Sequence, residues 1–416
     1  MKIYLVGGAI RNSFLNLPVT DKDWVIVGST PEVLIKKKFK QVGKDFPVFL
    51  HPITREEYCL ARTERKSGHG YKDFNIDYSQ HVTLKEDLMR RDLTINAIAQ
   101  DEYGKYIDPF NGFKDLKNRV LKHISSSFQE DPLRVLRVAR FAASLSHLGF
   151  YIDKNTMKFM QKIVLSKEIL FLTKDRIWKE TEKAMKTHNP HVYFKILQNC
   201  LAFPILFPEL NKIINTNFLK FYSYSFLPFS LEENLYTSLA YIAKKNNSVQ
   251  LRLAYMFLTT SYYFPLDLIE IKHHMNKSLY IHLVKNFCIR LNLPIKIKKL
   301  ILIIIKNNIF LLNIEKKSSS SIINFLNTID AWRKPKQINQ ITLLIKTYIR
   351  FIYKNNNIKF IKIKKNYLQK IYSIVCSPPI ELILKQGYKG KEIKMSINKW
   401  RINTLDNWKK NKNINY

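Results

Sequence analysis

The sequence predicts an α+β protein: a mixed strand-and-helix segment at the N-terminus followed by an all-helical remainder. Three observations divide it this way. Eight of the 11 glycines precede residue 140, where short elements need sharp turns. Residues 3–6, 24–27, 48–50 and 58–61 are short runs rich in β-branched and aromatic side chains, the composition of strands. From about Asp131 onward, apolar residues recur every three or four positions, the spacing of one helix face.

In chain order, the first strand ends at Gly7-Gly8 and leads into a helix carrying Arg11. A second helix is expected over residues 31–38, opened by the capping residue Thr30. Asp108-Pro109-Phe110-Asn111-Gly112 reads as an architectural turn with a stiff proline and a permissive glycine. Pro190, Pro204 and Pro208 punctuate the later helices, and no solenoid period is visible. Beyond about residue 211, Ile, Lys and Asn dominate, a bias that drift towards AT-rich codons produces as readily as selection.

At 416 residues the chain is long enough for two to four domains. Sixty-nine Lys and Arg stand against 33 Asp and Glu, a net charge of +36 that favours a polyanionic partner, nucleic acid ahead of an anionic membrane. Collagenous, disulfide-rich and acidic disordered classes are excluded. The surplus is concentrated late: from Ile271 to the end there are about 30 Lys and Arg and about 5 Asp and Glu. A solvated helical surface and a backbone-tracking nucleic-acid patch both fit that asymmetry.

Cys59, Cys200, Cys288 and Cys376 lie too far apart for a zinc site or disulfide framework and suit a reducing compartment. The N-terminus has too short an apolar run for a signal peptide, and the greasiest stretch stops at Lys306, short of a membrane span. Residues 359–365 alternate Ile and Lys over too few positions for an amphipathic membrane helix. The expectation is a cytoplasmic protein with no membrane partner.

Five constellations carry chemistry. Gly7-Gly8 after a strand lets the backbone approach a phosphate, with Arg11 one turn on, although a tight turn alone looks the same. Asp21 and Asp23, two apart at the head of an apolar strand, would project together about 6.5 Å apart and repel unless a cation lies between them. Hard oxygen donors of this kind suit Mg²⁺ with substrate phosphates, although a polar turn opening a strand looks the same. Glu57, on a strand expected beside the first, could complete a two-metal site or take the proton of an attacking hydroxyl; an exposed edge glutamate reads the same way. Arg90-Arg91-Asp92, with Asn96 one turn later, could clamp a triphosphate and touch a ribose, or form a salt-bridged helix start. Finally, Glu130-Asp131-Pro132 opens a helix in which Asp131 is a natural cap and Arg134, Arg137 and Arg140 line one slowly turning, exposed side. Three arginines in two turns repel one another without an anion, and a carboxylate with a guanidinium can present donor and acceptor edges to a base.

Taken together, Gly7-Gly8…Arg11, Asp21-x-Asp23, Arg90-Arg91-Asp92…Asn96, Asp108-Pro109…Gly112 and Glu130-Asp131-x-x-Arg134…Arg137…Arg140 resemble, in order and spacing, the bacterial class II tRNA nucleotidyltransferases, the CCA-adding enzymes. The resemblance continues through residues 45–51, 61–67 and 329–335 and so covers most of the chain. It implies a DNA polymerase beta-like nucleotidyltransferase head over 1–140, a helical neck over 141–215, a body over 216–330 and a basic, tRNA-binding tail over 331–416. It implies that Asp21 and Asp23 bind Mg²⁺, that Gly8, Arg11, Arg91, Arg137 and Arg140 bind incoming ATP or CTP, and that Asp131 and Arg134 read the base edge. Asp92 and Asn96 fall with the nucleotide-binding set, and Glu57 matches the third catalytic carboxylate more weakly. A monomer or weak dimer is expected.

One departure stands out. Long bacterial members often carry an HD phosphohydrolase site in the body, yet the corresponding stretch here, residues 251–263, reads Leu-Arg-Leu-Ala-Tyr-Met-Phe-Leu-Thr-Thr-Ser-Tyr-Tyr, with no His-Asp dipeptide anywhere in the chain. His273 and His274 read as remnants, so phosphohydrolase activity is expected to be absent. The expected function is template-independent addition of C, C and A to tRNA 3′ ends. The rivals are a poly(A) polymerase of the same superfamily, an enzyme adding only C or only A, and a non-catalytic tRNA-binding factor.

Overall fold

The computed structural model describes residues 1–42, 48–66, 74–215, 231–261, 270–356 and 366–413. The chain forms two compact units: Met1–Asn211 with Arg290–Asn292, and Lys212–Ile289 with Leu293–Tyr416. The expected head and all but the last four residues of the expected neck lie in the first, and all but Arg290–Asn292 of the expected body and tail in the second.

The first unit is built on a mixed sheet. Its elements in order are β1 (Lys2–Val6), α1 (Gly8–Phe14), β2 (Asp23–Val27), α2 (Pro31–Lys36), β3 (Lys40–Val42), β4 (Val48–Leu50), β5 (Glu57–Leu60), the hairpin β6 (Thr63–Lys66) and β7 (Phe74–Asp77), α3 (Leu84–Met89), β8 (Ala99–Gln100), β9 (Tyr106–Ile107) and α4 (Gly112–Lys117). Seven strands pair in the order β3-β4-β5-β2-β1-β8-β9. Every pairing is antiparallel except β2 with β5. Both faces are covered, which is why the strands read as near-continuous apolar runs rather than alternating ones. Val6, Val25 and Ala99 pack with Leu88 on one side, and Ile26, Phe49 and Leu60 with Leu34 on the other.

Helix α3 starts with a reciprocal cap. The Thr83 hydroxyl accepts from the Glu86 amide at 3.3 Å, and the Glu86 carboxylate accepts from the Thr83 amide at 2.8 Å. The 108–112 turn is architectural for a different reason from the one expected. Asn111, not Gly112, takes the left-handed conformation (φ 59°), and Asp108 accepts from the Gly112 and Phe113 amides at 2.7 and 2.9 Å. Gly112 is needed for space: a Cβ there would lie 2.4 Å from the Thr94 carbonyl oxygen.

After β10 (Val120–Leu121), helix α5 (Leu133–Leu145), β11 (Tyr151–Ile152) and α6 (Lys154–Leu165) come α7 (Lys174–Met185) and α8 (Pro190–Asn199). Helix α5 buries Val135, Leu136, Val138, Ala139 and Ala142 and packs against α7 and α8.

The second unit is helical where it is described. At its centre a helix over Val249–Ser261 buries every residue but Gln250, as a helix enclosed on all sides must. It packs against the helices Leu231–Ala243, Ile295–Leu312 and Lys336–Asn356. Among the described residues no helix is long and apolar enough to cross a membrane. Residues 359–365 and the side chains of His273 and His274 lie outside the described residues.

Replacing Gly112 with Ala should destabilise the protein by about 2 kcal/mol, because the carbonyl it meets is backbone and cannot swing aside. Gly104→Ala should cost only the left-handed strain of its φ of 84°, about 1 kcal/mol, since its Cβ would meet only ordinary contacts. Urea denaturation of the two variants checks the ranking.

Candidate active site

A cavity of about 480 Å³ is bounded by β1, β2, β5, the 90–96 segment and α5. Ten of the twelve residues singled out in the sequence line it: Gly8, Arg11, Asp23, Arg91, Asp92, Asn96, Asp131, Arg134, Arg137 and Arg140. Asp21 and Glu57 are not in its wall. Eight arginines and four carboxylates line it, so the cavity carries a positive field suited to a polyanion.

Asp23 opens β2, and its Cα partner across the parallel pair is Glu57, the first residue of β5. The two residues therefore share a pleat face with Val25 and Cys59, which line the cavity. Asp21 stands before the strand begins, so strand alternation does not place it beside Asp23 as the sequence spacing suggests; its carboxylate accepts from the Thr20 hydroxyl at 3.1 Å. Asp21, Asp23 and Glu57 are all exposed, and none forms an ion pair among the described residues. Nor do the described residues include a cluster of three or more His, Cys, Asp or Glu side chains close enough to hold a metal.

Asp92, 4% exposed, is the hub of the wall. Its Oδ1 accepts from the Leu93 amide and the Asn96 side-chain amide, both at 2.9 Å, and its Oδ2 from Arg137 Nε at 2.7 Å. Burial by itself would raise its pKa. The Arg137 charge, the Asn96 and Arg137 hydrogen bonds and the Arg134 charge outweigh that and hold the carboxyl well below the usual carboxylate range. Asn96 passes the constraint on, because its Oδ1 accepts from Arg11 Nη1. Burial, then the nearby Arg140 charge, lowers the Arg11 pKa to about 10.

Arg90 and Arg91 are held from beneath by Asp87, which is fully buried. Arg90 Nη2 reaches it at 2.7 Å and Arg91 Nη2 at 3.2 Å. Arg90 Nη1 also pairs at 2.8 Å with Glu64, which accepts from Arg62 Nε at 2.9 Å and so ties β6 to the wall. Arg91 in turn explains Gly7: φ is 74° there, and a Cβ would lie 2.9 Å from Arg91 Nη1. Gly8 has an ordinary φ, and its Cβ would meet only Arg11 Nη2 at 3.6 Å.

The α5 arginines are less exposed than their spacing suggests. Arg134 is buried, donating to the Ser127 carbonyl at 2.6 Å and to the Arg90 carbonyl. Arg137 pairs with Asp92, and Arg140 Nε with Glu180 of α7 at 2.6 Å. The enclosing 90–96 segment and α7 cover the side that local spacing reads as open. Asp131 Oδ1 accepts from the Leu133 amide at 3.0 Å just ahead of α5, whose cap position is taken by Pro132, while its Oδ2 lies 3.5 Å from Arg176.

Several residues escaped the sequence reading. Asp87 carried a signal, standing three and four positions before Arg90 and Arg91. Glu64, Phe141, Arg176 and Glu180 carried none, because their partners lie far away in the chain or their side chains read as core.

Residues 3–122 match the Poly A polymerase head domain family, and residues 149–214 match the family described as a probable RNA and SrmB-binding site of polymerase A. A CCA-adding enzyme from Buchnera aphidicola subsp. Schizaphis graminum is 50% identical over 99% of this chain and 98% of its own. One from Buchnera aphidicola subsp. Baizongia pistaciae is 46% identical over the same shares. Among solved structures, a CCA-adding enzyme with ATP aligns with a TM-score of 0.59 at 21% identity, covering 97% of this chain and 86% of its own. One with CTP aligns with a TM-score of 0.58 at the same identity and coverage. At that identity the structural likeness shows the fold.

Asp92 and Asp87, both depressed when folded, contribute stability that is present above the ordinary carboxylate pKa of about 3.9 and is lost as pH falls through the folded value. Urea unfolding between pH 7 and pH 3 should therefore show a steep acid loss in the native protein. Asp92→Asn should start at least about 2 kcal/mol lower at pH 7 and lose less on acidification.

Proposed function

The chain belongs to the family of CCA-adding enzymes, and from that premise we propose that it completes tRNA by adding C, C and A stepwise to the 3′ end, using CTP and ATP and releasing pyrophosphate. The observation that carries this reading is the cavity joining Asp23 to the arginines of five separate segments. The full-length likeness to CCA-adding enzymes favours it over the poly(A) polymerase suggested by the head family alone.

In each cycle the 3′-oxygen of the tRNA attacks the α-phosphorus of the bound nucleotide, and the bond to the β-phosphate breaks. Arg11, Arg91, Arg137 and Arg140 hold the triphosphate and neutralise charge on the departing pyrophosphate. Asp131 and Arg134, at the start of α5, lie where a base edge can meet a carboxylate and a guanidinium. Asp21 and Asp23 would hold Mg²⁺: both are exposed carboxylates without a cationic partner among the described residues, and Asp23 lines the arginine-rich cavity, a hard donor set that suits the ion. When bound, the ion supplies Lewis acidity towards the phosphate oxygens and lowers the pKa of the attacking hydroxyl. Glu57, in register beside Asp23, is the carboxylate available to share that ion or to take the hydroxyl proton.

Phosphohydrolase activity is absent on this reading. Thr259 and Thr260 stand in the stretch where the long relatives' His-Asp pair is expected. Both are buried and donate to carbonyls of their own helix, and the Thr260 hydroxyl meets the Tyr280 hydroxyl at 2.8 Å. The basic helical second unit supports a role in gripping tRNA by shape and backbone.

A single-nucleotide extension assay tests the function, with tRNA transcripts ending before CCA, after C and after CC. The expected result is C, C, A and a stop, with the rate falling roughly a thousandfold or more in Asp21→Ala and Asp23→Ala. Unlimited A addition would move the protein to the poly(A) polymerases, A addition to the CC end alone would mark a split system, and tRNA binding without extension would leave only a binding factor. A metal-dependent phosphatase activity abolished by His273→Ala would overturn the loss of the second activity.

A further inference from the structure

Phe141 has no polar group and no assigned role, yet it stands among the residues that bear the cavity's charge. It lines the cavity from α5 and is 7% exposed. Three guanidinium carbons lie over its ring: Arg140 at 4.1 Å from the centroid, Arg11 at 5.0 Å and Arg137 at 5.7 Å. All three distances fall within the range where a cation is attracted by the negative face of an aromatic ring. Of the three, Arg11 is the one most in need of such a neighbour. Arg140 and Arg137 both depress the Arg11 pKa by repulsion. Arg137 and Arg140 each have a carboxylate, but among the described residues Arg11 has no ion pair and bonds only the neutral side chains of Asn12 and Asn96.

We propose that Phe141 is a positioning residue for the nucleotide's triphosphate, its ring gathering Arg11, Arg137 and Arg140 on one side of the cavity before the anion arrives. This rests on the reading of those arginines as triphosphate ligands. A ring suits the task better than another carboxylate. It attracts the three cations without carrying a net charge, so it offsets their mutual repulsion and adds none against the incoming phosphates. An aliphatic side chain of similar volume would fill the space and leave the arginines to spread apart.

The experiment is equilibrium binding of CTP, ATP and CMP to the full-length protein. It compares Phe141→Leu with a series carrying phenylalanines of increasing fluorination at position 141, which weakens the ring face while keeping its shape. The expected result is a rise of about tenfold in Kd for CTP and ATP with Phe141→Leu, and a graded rise along the fluorinated series. CMP and tRNA affinities should stay within about twofold, and Phe141→Tyr should restore triphosphate binding. A flat fluorinated series, or a Leu variant that loses thermal stability while the fluorinated proteins bind CTP normally, makes Phe141 a packing residue and overturns the proposal. Arg11→Ala and Arg140→Ala separate the two levels. If they leave CTP binding intact, the triphosphate reading of the cavity fails and takes the proposal with it. If they weaken it while the Phe141 series is flat, only the role of Phe141 fails.

Discussion

A guanidinium removed from water must meet a carboxylate, a carbonyl or an aromatic face, and the first unit is organised by that requirement. Its cavity gathers eight arginines, more than its own carboxylates can neutralise. Others stand behind the wall: Asp87 beneath Arg90 and Arg91, and Glu180 beside Arg140. Asp92 anchors Arg137 directly and Arg11 at one remove through Asn96. The positive charge left over faces inward, into a space of nucleotide size, rather than being spread over the surface. It is the useful product of an arrangement whose first demand is stability.

That demand explains what the sequence revealed and what it concealed. The strands were legible because their β-branched runs must pack on both faces, and the register of Glu57 beside Asp23 follows once β2 and β5 are neighbours. The α5 arginines were legible as a cluster, but their exposure was not. Spacing within one helix says which side chains share a side, and only the fold says that the 90–96 segment and α7 close over it. Gly7 was legible as a turn, while its closeness to Arg91, 84 positions on, was not. Asp21 is the converse case: its spacing to Asp23 suggested a shared strand face, and the strand begins two residues too late for that reason to hold.

The second unit shows the same physics with a different outcome. On the helix over Val249–Ser261, the hydroxyls of Thr259 and Thr260 are satisfied by their own helix and, for Thr260, by Tyr280. With every buried hydroxyl partnered there, the enclosed helix serves as a packed axis.

The chain separation of these pairs also bears on when the site comes into being during synthesis. Arg11 waits for Asn96, Asp92 for Arg137, Asp131 for Arg176 and Arg140 for Glu180. A nascent chain that has just released its last sheet strand from the ribosome already has Glu64 and Asp87 for Arg62, Arg90 and Arg91, while Asp92 still lacks Arg137. Until α7 emerges, Arg140 lacks its carboxylate Glu180 and faces a ribosome made largely of RNA. The order of the segments thus makes the completed cavity a late event in the life of the molecule, gated by the arrival of a helix that has little share in its walls.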